Sequence, residues 1–308
     1  MLKRSDGAIE IPGKRFSMAY VLYATNVCYG AAALVTLQRL KSLSKRSDID
    51  YVVLHTGLPH FLLKAMDEMG ALPVRVKRLP YVSFHYFKDC LVKLRILQLN
   101  LYDRIVYLDV DTLVLKSLDT LFELSFHEDM AAPRAYWLPQ PCITSLLMVV
   151  KPSMKMWARV APYIKRAHEK ALYDMEIFNL AFKGEIHFLH DYYGCLNSEW
   201  ENKNAPLRFE ELDRLKRKVP LVHFSALGKQ WQFHPIWVRI LRPRAHPFFC
   251  QLWKDWWAER SEVVRQMPFR LKWRHLLVHF WCRREFSYLV HTVHNGIRSR
   301  YKRPAQNI

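Results

Sequence analysis

Residues 104–115 read RIVYLDVDTLVL, an apolar run broken by Asp109 and Asp111 with one valine between them. Such a run predicts an interior strand, where an unpaired carboxylate costs on the order of several kcal/mol of desolvation. Along a strand, residues i and i+2 share a face, so the pattern points both carboxylates one way and Val110 the other. Two like charges side by side call for a cation between them. A divalent ion such as magnesium or manganese takes oxygen ligands and keeps positions open for phosphate oxygens. The alternative for a lone D-x-D is a pair of aspartates capping the turn after the strand.

Working outward, short β-branched or aromatic runs alternate with helical periodicity. AYVLYA (19–24) is followed by AAALVTLQRLKSL (31–43), YVVLHT (51–56), FLLKAMDEMG (61–70) and VRV (74–76). A longer helix is predicted over 87–102, FKDCLVKLRILQLNLY, leading into the strand quoted above. Further strands are expected at SLLMVVK (145–151) and PLVHFS (220–225), with helices near 153–169 and 174–183 between them. This alternation predicts an α/β fold, a Rossmann-like, mostly parallel sheet flanked by helices. In such sheets ligands sit outside the carboxyl ends of the strands, the kind of end that Asp109 and Asp111 occupy. Residues 18–235 read as one catalytic-type domain, and 236–308 as a basic, aromatic-rich helical extension.

The chain has 308 residues, 51% of them hydrophobic, enough to bury a sizeable core and to exclude disorder of the whole. Its formal charge of +19 suits a polyanionic surface or an anionic substrate. From Arg260 onward, eleven Lys or Arg stand against Glu262 and Glu285. Apolar residues there, from Trp273 to Ile297, recur at three- and four-residue steps, as on an amphipathic helix that lies on an anionic membrane or packs on the domain. No recognition motif for nucleic acid accompanies the charge, so a nucleic-acid partner is not expected. The six cysteines stand singly, without the spacing of a zinc finger. His275 and His279 lie one helical turn apart without the glutamate of a zinc hydrolase. The opening MLKRSDGAIEIPGKR lacks the apolar core of a secretory signal, and no run of ~18 apolar residues follows. A cytoplasmic or peripheral membrane location is the expectation.

Over about 210 residues, from AYVLYATNVCYGAAAL (19–34) to LVHFSALGKQW (221–231), the sequence resembles the family 8 glycosyltransferases. These are the retaining, metal-dependent group with the GT-A fold that includes glycogenin. YLDVDTLVL is similar to the family's metal-binding core, FKDCLVKLRIL to its helix with a donor-contacting lysine, and VHFSALGKQW to its closing H-F-x-G-x-x-K-P-W element. The resemblance implies a nucleotide sugar, most often a UDP-sugar, as donor partner, an acceptor of unstated identity, and manganese or magnesium as cofactor. It implies Asp109, Asp111 and His223 as metal ligands. Imidazole, a borderline ligand, favours manganese over magnesium. Tyr23, Thr25, Asn26, Tyr29 and Val110 would hold the donor, with Lys93 contacting it and Lys229 reaching its diphosphate beside Gly228. Thr144, Ser145 and Asp174 would line the sugar pocket, Asp174 as the catalytic carboxylate that orients the sugar.

Three stretches depart from the family pattern. Thr144-Ser145-Leu146 stands where glycogenin has N-S-G, and Met175 follows Asp174 where an amide is usual. Gln230 replaces the proline of K-P-W, an exchange expected to have little effect. Met175 and Leu146 motivate the alternative of a non-catalytic nucleotide-sugar-binding protein on a decayed transferase fold. Tyr192 and Tyr193, near where glycogenin presents its own glucosylated tyrosine, are expected to serve as aromatic packing.

Overall fold

The structure is a computed structural model describing residues 8–79, 89–170, 172–202 and 212–267. It begins with the predicted β-α-β succession: β1 (Met18–Ala24), α1 (Val27–Leu43), β2 (Ile49–His55), α2 (His60–Glu68) and β3 (Leu72–Arg75). β4 (Arg104–Leu108), β5 (Thr112–Val114), β6 (Met130–Pro133), β7 (Leu147–Val150), α3 (Met154–Lys170), α4 (Asp174–Ala181) and β8 (His187–Leu189) follow. The chain continues through β9 (Cys195–Leu196), α5 (Leu212–Lys218), β10 (Leu221–His223), α6 (Pro235–Leu241) and α7 (Pro247–Gln266).

Seven strands form the main sheet in the order β3-β2-β1-β4-β7-β6-β8. β1 runs parallel to both β2 and β4, whereas β7 is antiparallel to β4 and β6. Strand order reverses at β1 and β4, so the ends of these two adjacent strands open a crevice of the kind that receives ligands. Alternation along β1 serves both faces of the sheet. Tyr20, Leu22 and Ala24 pack into the layer beneath α1, α2 and α7, while Ala19 and Val21 pack into the layer built from residues 91–99, α3 and α4.

The run at 104–115 is not one strand. β4 ends at Leu108, Asp109–Asp111 form a turn, and β5 pairs with β10 in a separate three-stranded sheet of order β5-β10-β9. Local hydrogen bonds fix the break. The Asp109 amide donates to the Leu146 carbonyl at 2.9 Å, and the Thr112 hydroxyl donates back to the Asp109 carbonyl at 2.7 Å. The two carboxylates are therefore brought together by a turn and not by the pleat of a strand. The predicted helix over 87–102 is also shorter: Cys90–Gln98 winds as a 3₁₀ helix, and residues 80–88 lie outside the described part.

Helices after residue 235 pack on the same core. Trp253 and Trp256 of α7 are fully buried, and the Trp253 ring meets Phe224 edge-on at 5.2 Å. Arg39 of α1 pairs with Glu259 of α7 at 2.9 Å. The predicted amphipathic stretch from Trp273 to Ile297 lies outside the described residues. Among the described residues, no helix is long and apolar enough to cross a membrane.

Candidate active site

A cleft of about 400 Å³ opens at the carboxyl ends of β1 and β4. Eleven of the residues singled out from the sequence line it: Tyr23, Tyr29, Lys93, Asp109, Val110, Asp111, Thr144, Ser145, Asp174, His223 and Lys229. Sheet register accounts for the most distant member. β10 runs antiparallel to β5 with His223 opposite Thr112, which sets the imidazole beside Asp111. One ligand atom each from Asp109, Asp111 and His223 then lies within 4.8 Å of the other two.

Two lysines, an imidazole and three carboxylates interlock here. Lys93 Nζ lies 3.0 Å from Asp109 Oδ1 and 2.7 Å from Asp174 Oδ2, and donates to the Ser145 hydroxyl at 3.1 Å. Ser145 in turn donates to Asp174 at 2.6 Å. Asp111 pairs with Lys229, and its other oxygen is 3.3 Å from His223 Nε2. Tyr107 donates its hydroxyl to Asp109. Burial works against the charge on Asp111, but Lys229 and His223 outweigh it and hold this carboxyl well below its usual range. At Asp109 burial wins over Lys93, with Asp111 adding repulsion, and the carboxyl is pushed up. A carboxylate pair with one member pushed up is short of positive charge.

A divalent ion fits that shortfall. Two carboxylates and an imidazole form an oxygen-rich, borderline donor set, and His223 Nδ1 is buried with no hydrogen-bond partner among the described residues.

The remaining predicted residues sit just outside the cleft lining. Asn26 caps α1, its Oδ1 accepting from the amides of Cys28 and Tyr29 at 3.0 and 3.2 Å. Thr25 is buried, and its carbonyl accepts from Arg78 and Thr56, each at 3.3 Å. Gly228 has a φ of +85°, and a Cβ there would stand 2.4 Å from Gln232 Oε1. Together with Leu227 at φ 62°, it turns the chain so that Lys229 comes back to Asp111. Tyr29 packs edge-on against Trp231 at 4.9 Å, joining the β1 end to this loop. Tyr192 and Tyr193 meet at a tilt with ring centroids 4.9 Å apart and do not line the cleft.

Sequence reasoning missed several residues. Trp137, Cys90 and Glu176 line the cleft without a motif to announce them. Burial, with Asp174 alongside, pushes the Cys90 thiol up to about 12, so it stays protonated. Glu176 accepts from the Tyr173 amide at 3.1 Å and closes the first turn of α4, a role that its position three residues after the cap could have signalled. Gln230, expected to matter little, is fully buried. Its Nε2 donates at 3.1 Å to the carbonyl of Val110, between the two aspartates, while its Oε1 has no partner among the described residues. Its own carbonyl accepts from Trp257 of α7 at 3.1 Å.

Gln230 therefore straps the Lys229 loop to the turn that carries both carboxylates. Gln230→Met removes the donor and the unpaired acceptor together, so stability should change by less than about 1 kcal/mol. Manganese affinity, titrated by electron paramagnetic resonance, should fall by about tenfold as the turn loosens. A large fall in melting temperature with unchanged affinity would make Gln230 a packing residue only.

Fold and site together place a candidate metal cluster in a cleft at the strand ends, and known proteins share this architecture. Residues 21–165 match the model of glycosyl transferase family 8. Over that stretch the chain is similar to the family 8 glycosyltransferases, and the chain has the GT-A fold. The chain is 29% identical over 247 residues to a protein of Aspergillus fumigatus named glucose N-acetyltransferase 1, across 69% of this chain and 64% of that one. It is 34% identical over 149 residues to the putative glucuronosyltransferase PGSIP7 of Arabidopsis thaliana, across 46% of this chain and 28% of that one. The chain thus spans less than two thirds of the length of these relatives. Among solved structures, the galactosyltransferase LgtC in complex with donor and acceptor sugar analogues superimposes with a TM-score of 0.58. That match covers 83% of this chain and 99% of LgtC at 16% identity, and speaks to the fold.

Proposed function

We propose that this chain transfers a sugar from a UDP-sugar to an acceptor, with retention of configuration and with manganese or magnesium held by Asp109, Asp111 and His223. The observation that carries the reading is the grouping of these three ligands, within 4.8 Å of one another, in the same cleft as Lys93, Lys229 and Asp174. When bound, the ion supplies Lewis-acid stabilisation of the departing diphosphate. Lys229, turned inward by Leu227 and Gly228, adds a second positive charge to that leaving group. Tyr23, Tyr29 and Val110 shape the cleft around the donor, while Thr25, Asn26 and Gly228 hold the backbone beside it.

Asp174 orients the sugar. Lys93 and Ser145 fix its carboxylate, so its acceptor oxygens are pre-positioned for sugar hydroxyls. Retention fits a front-face arrival of the acceptor, its hydroxyl proton passing to the leaving phosphate oxygen. Met175 lines the cleft beside Asp174 and its thioether offers only a weak acceptor, so an amide-assisted step has no residue there. Leu146 lines the cleft where glycogenin has a glycine, which supports a sugar pocket of different shape and a donor sugar other than glucose.

A panel of UDP-glucose, UDP-galactose, UDP-N-acetylglucosamine and UDP-glucuronic acid with manganese tests the reading. Slow hydrolysis or transfer with one of them, abolished by chelation and restored by the metal, is the expected result. Met175 favours one second reading, a nucleotide-sugar-binding protein without turnover. Calorimetric binding of UDP with no hydrolysis of any donor would establish that reading in place of the first.

A further inference from the structure

The cleft has two chemically different halves. Lys93, Asp109, Asp111 and Lys229, with the imidazole of His223, make one of them polar and charged, and the buried Thr144, Ser145 and Asp174 adjoin it. Trp137, Leu196 and Met175 belong to the lining as well, and Trp137 is 39% exposed, unusual for so large an apolar side chain. We infer that Trp137 is a stacking platform for a pyranose ring of the acceptor, which makes the acceptor a sugar or glycoside. The inference rests on the transferase reading above and deepens it.

The indole is held by a built loop. Arg134 and Ile143 pair as a bridge at its base, and the Ala135 amide donates to the Cys142 carbonyl at 2.8 Å. The Leu138 amide closes a turn onto the Ala135 carbonyl at 2.9 Å, directly under Trp137. Tyr136 meets the Trp137 ring edge-on at 5.1 Å. Its hydroxyl donates to Glu199 and accepts from the Leu196 amide at 3.1 Å, which ties the loop to β9. Asn179 of α4 binds both backbone groups of Ile143, at 2.9 and 3.0 Å, which fixes the loop to the helix carrying Asp174 and Met175. An exposed aromatic ring on such a support keeps its orientation before any ligand arrives.

The chemistry selects a sugar. One face of a pyranose presents a row of C–H groups with partial positive charge, which suits the negative π face of indole, while its hydroxyls stay directed to water and to polar neighbours. The position selects the acceptor. The donor sugar is joined to a diphosphate that belongs at the charged half, against the buried Ser145 and Asp174, whereas an exposed ring at the cleft's rim meets the molecule that enters from solvent.

The test uses the full chain with manganese and the UDP-sugar that the unaltered protein hydrolyses. The acceptor probes are methyl β-D-galactopyranoside, methyl β-D-glucopyranoside and methyl α-D-mannopyranoside, with glycerol and a tyrosine peptide as non-sugar acceptors. Trp137→Ala should raise the KM for the preferred glycoside by about tenfold, well beyond any change in donor KM or in donor hydrolysis by water, and Trp137→Phe should restore most of it. An unchanged acceptor KM, an equal fall in donor hydrolysis, or transfer to the non-sugar probes alone would overturn the inference. If the unaltered protein hydrolyses no donor, the transferase reading fails instead. Saturation-transfer NMR with the three glycosides then decides for the platform: signals lost in Trp137→Ala support it, and absent or persistent signals overturn it.

Discussion

Asp111→Asn should abolish manganese binding and lower turnover of the donor by about a thousandfold, the loss usual when a principal electrostatic stabiliser is removed. Asp111 is the most committed of the three candidate ligands. Only 5% of it is exposed, one oxygen pairs with Lys229, and the other lies 3.3 Å from His223. Asparagine has nearly the same shape, so the turn closed by Thr112 and the Phe224 amide, which donates at 2.9 Å to the Asp111 carbonyl, should persist. What disappears is the charge that gathers metal, lysine and imidazole. Electron paramagnetic resonance of Mn2+ would report the lost site, and a circular dichroism melt would show whether the fold is kept. Asp109→Asn should do less harm to folding, because Lys93 keeps Asp174 as a partner at 2.7 Å. Full turnover by Asp111→Asn, or by the unaltered protein in excess chelator, would remove the metal from the mechanism.

Much of this arrangement is legible in the sequence because it rests on local patterns. β1, β2 and β3 are short apolar runs separated by helical periodicity, and parallel strands buried on both faces produce such runs. Asn26 announces the start of α1 by its chemistry, and its side chain does cap that helix. The break at Asp109–Asp111 is not legible in the same way. β4 and β5 belong to different sheets, yet both are buried, so apolar character continues across the turn and imitates one long strand. His223 becomes visible only through a motif, since its partner Thr112 is more than a hundred residues away and register is a tertiary property. Gln230 and Trp137 carry no signature at all. One matters through a single hydrogen bond to Val110 and the other through its exposure, and neither can be read from neighbouring residues.

Lys93→Met should destabilise the fold by about 3–5 kcal/mol, the usual cost of removing one partner from a buried ion pair. Lys93 is 4% exposed and its ammonium is shared between Asp109, Asp174 and Ser145, with the ring of Tyr107 5.4 Å away. Burial alone would lower its pKa, but the two carboxylates outweigh burial and push it up. A lysine whose folded pKa is raised contributes stability that is complete below its unfolded pKa and is lost only as pH rises through the folded value. The contribution is therefore constant across neutral and mildly acidic pH. In Lys93→Met, Asp109 loses the lysine that opposes burial, its carboxyl is pushed up further, and protonation favours the folded state. The deficit in melting temperature should thus be largest near pH 7 and shrink as pH falls toward about 5. Manganese should also reduce it, because an ion bound only to the folded state stabilises by mass action and supplies the missing charge. Lys93→Arg keeps the charge but not the compact ammonium, and should fall between the two. A deficit identical at both pH values and indifferent to manganese would mean that Lys93 fills space and does not hold the carboxylates. In that event Asp174 would need another origin for its fixed orientation, and Ser145, at 2.6 Å, and Cys90 are hydrogen-bonding neighbours that remain.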